Sequence, residues 1–199
     1  LLIALVIRSF LIQPFYIPSS SMEPNLLVGD RIFVTKYSYG YSKHSFPFSP
    51  PILQNRILFQ KPERGDVVVF KTPADNRTDY IKRLIGLPGD TVQFIDGSIY
   101  LNNLEIFKNL KSKNRFVFCG SNKIESNFFN EKLSSGKEFD TAYFSNFTLQ
   151  NTDLFVVPED HYFFLGDNRD CSKDSRYLGH VSFVNLVGKA RIIFFSNDT

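Results

Sequence analysis

Past Gln13, no stretch of this chain repeats its apolar residues at helical spacing; short apolar runs closed by turn residues take their place. This texture constrains the fold most, because a strand needs only a few residues between Gly, Pro, Asn or Asp breakers, whereas a helix needs a sustained period. Arg31–Thr35 follows the Gly29-Asp30 turn, and residues 67–70 form a continuous apolar run. Residues 80–85 end at Gly86-Leu87-Pro88-Gly89-Asp90, and Thr91–Ile95 and Ser98–Leu101 flank Asp96-Gly97, the best hairpin signal in the chain. Residues 155–157, 162–165 and 190–195 return to strand texture. The expected fold is mainly β. With 43% hydrophobic and 22% charged residues over a length of 199, it has the material for a sizeable core.

Three regions depart from that texture. Residues 38–61 are rich in Ser, Pro, Tyr and Phe and read as a long surface excursion, while residues 104–153 turn to Asn, Ser, Lys and Phe with weak periodicity and read as an insertion or small second domain. The third is the start, where an apolar run through Ile7 precedes Arg8 and Phe10-Leu11-Ile12. It is too short to span a bilayer, which takes about 20 apolar residues. It reads as a buried amphipathic helix or as the last turns of a transmembrane helix, with Arg8 placed to reach toward headgroups. The opening Leu, with Met22 the only Met, favours a helix that begins upstream. Pro14, Pro18 and Pro24 then space out a segment expected to be extended.

Composition removes several classes of function. A net charge of +3 without a basic run gives nucleic-acid binding little support, so no nucleic-acid partner is expected. The two cysteines, Cys119 and Cys171, form no C-x-x-C, which excludes a zinc ribbon or thioredoxin motif; their separation leaves a disulfide undecided. Asp167, Asn168 and Asp170 lack the spacing and the bidentate Glu of a calcium loop. No metal and no cofactor are expected.

Chemistry concentrates in three places. Ser19, Ser20 and Ser21 sit between Pro18 and Pro24, which could fix a serine nucleophile and oxyanion donors, or could simply be a polar linker. A serine needs a base. His44, His161 and His180 lie in turn-like contexts that mark none of them as catalytic, although triad partners meet only in space. Lys82 lies inside an apolar strand, where desolvation would lower its pKa and leave a neutral amine able to take a proton; a solvated strand face is the ordinary alternative. The third cluster, residues 166–176, places Gly-Asp-Asn-Arg-Asp-Cys-Ser-Lys-Asp-Ser-Arg after an apolar strand.

In order along the chain, these segments resemble type I signal peptidases. Ser19 to Met22 with Pro18 is similar to that family's nucleophile box, residues 29–41 to its second segment, and residues 64–92 to its lysine box. Residues 166–176 are similar to its Gly-Asp-Asn-Arg-Asp box and residues 185–190 to its closing strand. The resemblance implies that Ser21 is the nucleophile and Lys82 the general base. Ser19 and the Ser21 N–H would hold the oxyanion, and Ser172 would orient Lys82. Asp174 and Arg176 would form a supporting ion pair, and Asp167, Asn168, Arg169 and Asp170 would fix their loop against the lysine strand. Phe15, Ile17, Pro18, Met22, Tyr80 and Ile81 would line small apolar substrate pockets. Cys171, Leu178 and Ser20 depart from the residues common at their positions, and none touches the expected dyad.

The same resemblance implies a catalytic domain of coiled antiparallel sheets, over residues 16–103 and 154–199, with a smaller β-rich domain inserted at 104–153. Residues 1–15 would end a transmembrane anchor, single-pass or one of few. The catalytic domain would face outward from the bacterial cytoplasmic membrane, with signal peptides of secretory preproteins and membrane lipid as partners. Two other readings stay open: a self-cleaving repressor with a Ser-Lys dyad, and a membrane-anchored β binding module with a dead site.

Overall fold

The computed structural model describes residues 7–8, 10–46, 49, 53, 55–146 and 148–196. Fourteen strands are named among them: β1 Ile12–Tyr16, β2 Arg31–Thr35, β3 Val67–Lys71, β4 Asp79–Gly86, β5 Thr91–Ile95, β6 Ser98–Leu101 and β7 Leu104–Glu105. After these come β8 Phe107–Cys119, β9 Asn122–Lys132, β10 Glu138–Phe144, β11 Phe155–Val156, β12 His161–Leu165, β13 Val181–Ser182 and β14 Leu186–Phe195. A curled seven-stranded sheet runs β1-β2-β14-β3-β4-β12-β13, beside a four-stranded sheet β11-β5-β6-β7 and a three-stranded sheet β10-β9-β8. Every pairing between named strands is antiparallel. The Asp96-Gly97 hairpin forms as its chemistry requires, with both residues at positive φ.

β4 holds the centre because its side chains enter three separate cores. Ile81 joins Ile17, Met22, Leu26, Ile32, Val34, Val69 and Val187. Leu84 joins Val68, Phe70, Phe164 and Leu186, and Ile85 joins Val92, Phe94, Phe163 and Leu165. Burying a side chain of this size contributes about 1.5–3 kcal/mol relative to exposure, so the strand that carries Lys82 is held from both faces.

Several expectations need correction. Residues 12–15, assigned above to the end of a membrane helix, form β1 instead; residues 1–6 and 9 lie outside the described residues. Ile12–Tyr16 pairs with β2 along its whole length, and Pro14 can stand opposite Phe33 because β1 is the sheet edge, where a missing N–H is tolerated. No helix among the described residues is long and apolar enough to cross a membrane. The proline-spaced segment is not extended throughout, since Ser20–Met22 make a single 3-10 turn. Proline restricts only itself and its predecessor, which leaves those three residues free to turn.

Residues 38–61 are not a surface excursion throughout, because Ser42, His44, Ser45 and Arg56 are buried. The Arg56 guanidinium donates to the carbonyls of Gly40 (2.8 Å) and Phe183 (2.9 Å) and also to that of Leu186, tying the segment to the start of β14. Residues 47, 48, 50–52 and 54 of that stretch lie outside the described residues. The weakly periodic 104–153 region carries β8 and β9, the longest strands of the fold, with most of β8 exposed and therefore without alternation to read.

Candidate active site

The turn Ser20–Met22 grows out of β1 through Ile17 and Pro18. Met22 has no solvent exposure and Ile17 only 2%, so the turn is pinned by its apolar ends while Ser19 remains exposed. Its carbonyls are held from the loop that follows β12. The Asn168 N–H donates to Ser21 O (3.1 Å), and Asn168 Nδ2 donates to Ser20 O (3.2 Å). The Ser21 N–H belongs to the first turn of a helix, where no carbonyl of the helix itself can accept it. Ser19 Oγ lies 3.3 Å from Ser21 Oγ.

Lys82 comes from β4 and ends on this serine. Its Nζ is 2.6 Å from Ser21 Oγ and 2.8 Å from Ile81 O, and the residue is 3% exposed. Burial pushes the amine down to about 8, against the opposing pull of Asp174 and Asp167, which favour its charged form. The Tyr80 ring lies 5.4 Å below the amine. No hydrogen bond joins a histidine to Ser21 among the described residues. His44 bonds Ser49, and burial together with Lys43, Lys71 and Arg56 pushes it down to about 4. His161 bonds Glu159 O.

Residues 166–176 are brought to the dyad, though not as one unit against the lysine strand. Only Asp167 reaches β4, gripping Arg83 through two bonds of 2.6 Å, with Asn25 Nδ2 at 2.8 Å. Asn168 grips the serine turn. Arg169 is wholly buried against Glu131 (2.8 Å) and Tyr143 (3.3 Å), and Asp170 accepts from the Phe144 and Leu149 N–H groups and from Thr148. The expectation that all four brace the lysine strand is therefore corrected. These four residues lie in a loop of bends with a single β-bridge at Asn168, so their side chains point in different directions and tie several elements together. Arg176 and Asp174 form a buried pair at 2.8 Å, and Asp174 also accepts from the Gly166 N–H.

Ser172 departs from its expected role. Its hydroxyl is buried and makes no hydrogen bond among the described residues; Lys82 bonds Ser21 and Ile81 O instead. It lies against Gly166, where an added Cβ would overlap the Ser172 side chain and stand 2.5 Å from Ser21 O. Gly166→Ala is accordingly expected to lower stability by about 1–3 kcal/mol and to cut kcat, readable by thermal melts and peptide turnover. Of the expected pocket residues, Ile17, Met22 and Ile81 form a covered floor, Phe15 and Tyr80 are half-buried, and Pro18 is exposed. Ile17 and Met22 are thus core residues and not open walls.

The signal peptidase model of peptidase S26 matches residues 1–195. This chain belongs to the signal peptidase family. Within that family it is 46% identical to a signal peptidase I of Rickettsia typhi over 98% of this chain and 76% of the relative. It is 45% identical to one of Rickettsia akari, over 98% of this chain and 75% of that relative. A solved signal peptidase I of Enterococcus faecalis is 30% identical and covers 65% of this chain and 97% of its own, at a TM-score of 0.40. The residues to which sequence reasoning gave no role of their own are Arg83, Asn25, Glu23 and Gly166. Arg83 adjoins Lys82 in the lysine box and had a readable signal, since a second cation in an apolar strand requires a buried carboxylate. Asn25 and Glu23 had none.

Proposed function

We propose that this chain removes signal peptides from exported proteins, with Ser21 as nucleophile and Lys82 as general base. The observation that carries the reading is the 2.6 Å contact between Lys82 Nζ and Ser21 Oγ inside an apolar site. With the amine at about 8, roughly a tenth of it is neutral at pH 7, against well under a thousandth for lysine in water. The neutral amine takes the Ser21 proton as Oγ attacks the scissile carbonyl. Ser19 Oγ and the Ser21 N–H receive the developing oxyanion. The ammonium then returns its proton to the leaving amine, and the acyl-enzyme is opened by a water that Lys82 deprotonates.

Substrate placement follows from the sheet. Asp79–Lys82 pair with β3 on one side, while the pairing of β4 with β12 begins only at Arg83. An extended peptide can add along the unpaired edge of Asp79–Lys82, with its side chains over the floor of Ile17, Met22 and Ile81 beside Phe15, Pro18 and Tyr80. A covered floor leaves shallow pockets, which suits small residues before the cut. The catalytic part spans residues 16–103 and 154–199 in this reading. The inserted unit is read as 104–153, and the pairing of Leu104–Glu105 with β6 favours moving its start, and the end of the first catalytic segment, to Glu105.

The enzyme works at the outer face of the bacterial cytoplasmic membrane in this account. A Cys119–Cys171 disulfide supports that side, since such bonds persist in oxidising compartments. Exposed Ile12 and Tyr16 on β1 and Ile192 and Phe195 on β14 supply an apolar face for lipid, and Arg31 stands 5.5 Å over the Phe195 ring. Ile12→Glu combined with Ile192→Glu is expected to lower partitioning into liposomes severalfold while leaving cleavage of a soluble peptide intact. Equal partitioning would remove these strands from the lipid contact. The direct test of function is an active-site acylating probe with mass mapping. Label on Ser21, lost in Ser21→Ala, is expected; an unlabelled chain that still binds signal peptide would indicate a binding module.

A further inference from the structure

Behind the serine turn lies the end of β8, held to it by one direct tie and by two through the loop of Asn168 and Cys171. The Phe118 N–H donates to the Glu23 carboxylate (2.9 Å), two residues beyond Ser21. The Phe118 carbonyl accepts from Asn168 Nδ2 (3.2 Å), the same amide that donates to Ser20 O. Cys119 is bonded to Cys171 across a sequence separation of 52, and the Cys171 N–H returns to Asn168 O (3.2 Å). One residue of the three-stranded sheet therefore has its N–H on the nucleophile segment and its C=O on the loop that holds that segment, and the disulfide closes the ring between them. Glu23 is 5% exposed, and burial raises its pKa against the opposing effect of the Phe118 N–H.

We propose that the end of β8, locked by Cys119–Cys171 and gripped by Glu23 and Asn168, is a positioning element that sets the direction of Ser21 Oγ. The proposal rests on Ser21 being the nucleophile. A misplacement on the scale of 1 Å lowers turnover by up to about a hundredfold. Among the described residues no hydrogen bond or ion pair joins Glu23, Phe118, Cys119 or Cys171 to Asp79–Lys82, so loss of the ring should appear chiefly in kcat, with KM and the apparent pKa of the pH–rate profile little changed.

The test compares the full chain with Cys119→Ser/Cys171→Ser and with Glu23→Ala and Glu23→Gln. Each is measured below its own melting temperature on one peptide. The expected result for the double variant and for Glu23→Ala is a kcat lowered tenfold or more, with KM within about twofold and the pH profile unmoved. Glu23→Gln, whose amide oxygen still accepts from Phe118, should recover most of the loss. Reduction of the parent by a dithiol transfers two electrons and two protons to the bond, giving two thiols and the cyclic disulfide of the reductant. It should lower kcat to the double variant's value and reverse on reoxidation, and it leaves the proposal testable if the double variant does not fold. Parental kcat in folded Glu23→Ala and in the reduced parent would overturn the proposal, leaving the ring a stabilising feature only. Acylation of Ser21 in the untreated parent separates the two claims: if it is absent, the nucleophile reading fails first.

Discussion

Lys82→Met is expected to lower kcat/KM by at least a thousandfold while raising stability at neutral pH. The first half follows from chemistry, because methionine fills the space of the amine but cannot take a proton from Ser21 Oγ. The second follows from the lowered pKa. An amine moved from 10.5 to about 8 by burial represents on the order of 3 kcal/mol of disfavoured charging, all of it present below pH 8. Between about 8 and 10.5 the folded chain has lost this proton while the unfolded chain keeps it, so stability rises with pH across that window. The methionine variant lacks this term. Melting curves of the two proteins should differ most at pH 7 and converge toward pH 10. Lys82→Arg separates charge from basicity: its guanidinium stays protonated, so it should be as inactive as Lys82→Met without the gain in stability.

Asp167→Ala should cost about 3–5 kcal/mol, the largest loss of stability expected from a single side chain near the site. Asp167 is fully buried, with both oxygens on Arg83, and one of them also accepts from Asn25. Its removal leaves the Arg83 charge buried without a counterion beside the base. Under conditions where the variant stays folded, a second effect should appear. Asp167 favours the protonated form of Lys82, and the freed guanidinium would oppose it, so both changes depress the amine further. The pH–rate profile should move to lower pH even as maximal turnover falls. A profile that stays in place, or moves to higher pH, would contradict this electrostatic link. Asp167→Asn should show the shift with a smaller loss of stability, since an amide still accepts one bond from Arg83.

Sequence and structure agree where local chemistry decides. Arg31–Thr35, Thr91–Ile95 and Ser98–Leu101 are legible to the residue because apolar runs are bounded there by Gly-Asp and Asp-Gly turns. β1 is not legible because Ile12 to Tyr16 can serve a helix end as easily as an edge strand; pairing with β2 decides between them, and pairing is not local. β8 and β9 hide for the opposite reason, since a largely exposed strand has no buried face to alternate with. Ser21 and Lys82 are 61 positions apart and could be paired only through resemblance, and Cys119 and Cys171 could not be paired at all. The direction of each side chain in the 166–176 loop was also beyond reach. Asp167 turns to β4, Asn168 to the serine turn and Arg169 to Glu131, because each finds a different buried partner.

The dyad is tested most directly by the pH dependence of Ser21 acylation, followed by mass on the intact chain so that no later step interferes. The rate should rise with loss of one proton, with a midpoint near 8, and both Lys82→Met and Lys82→Arg should abolish it at every pH where they are folded. A midpoint near that of an ordinary histidine, or acylation that persists in the Lys82 variants, would contradict the account and assign the base to another side chain.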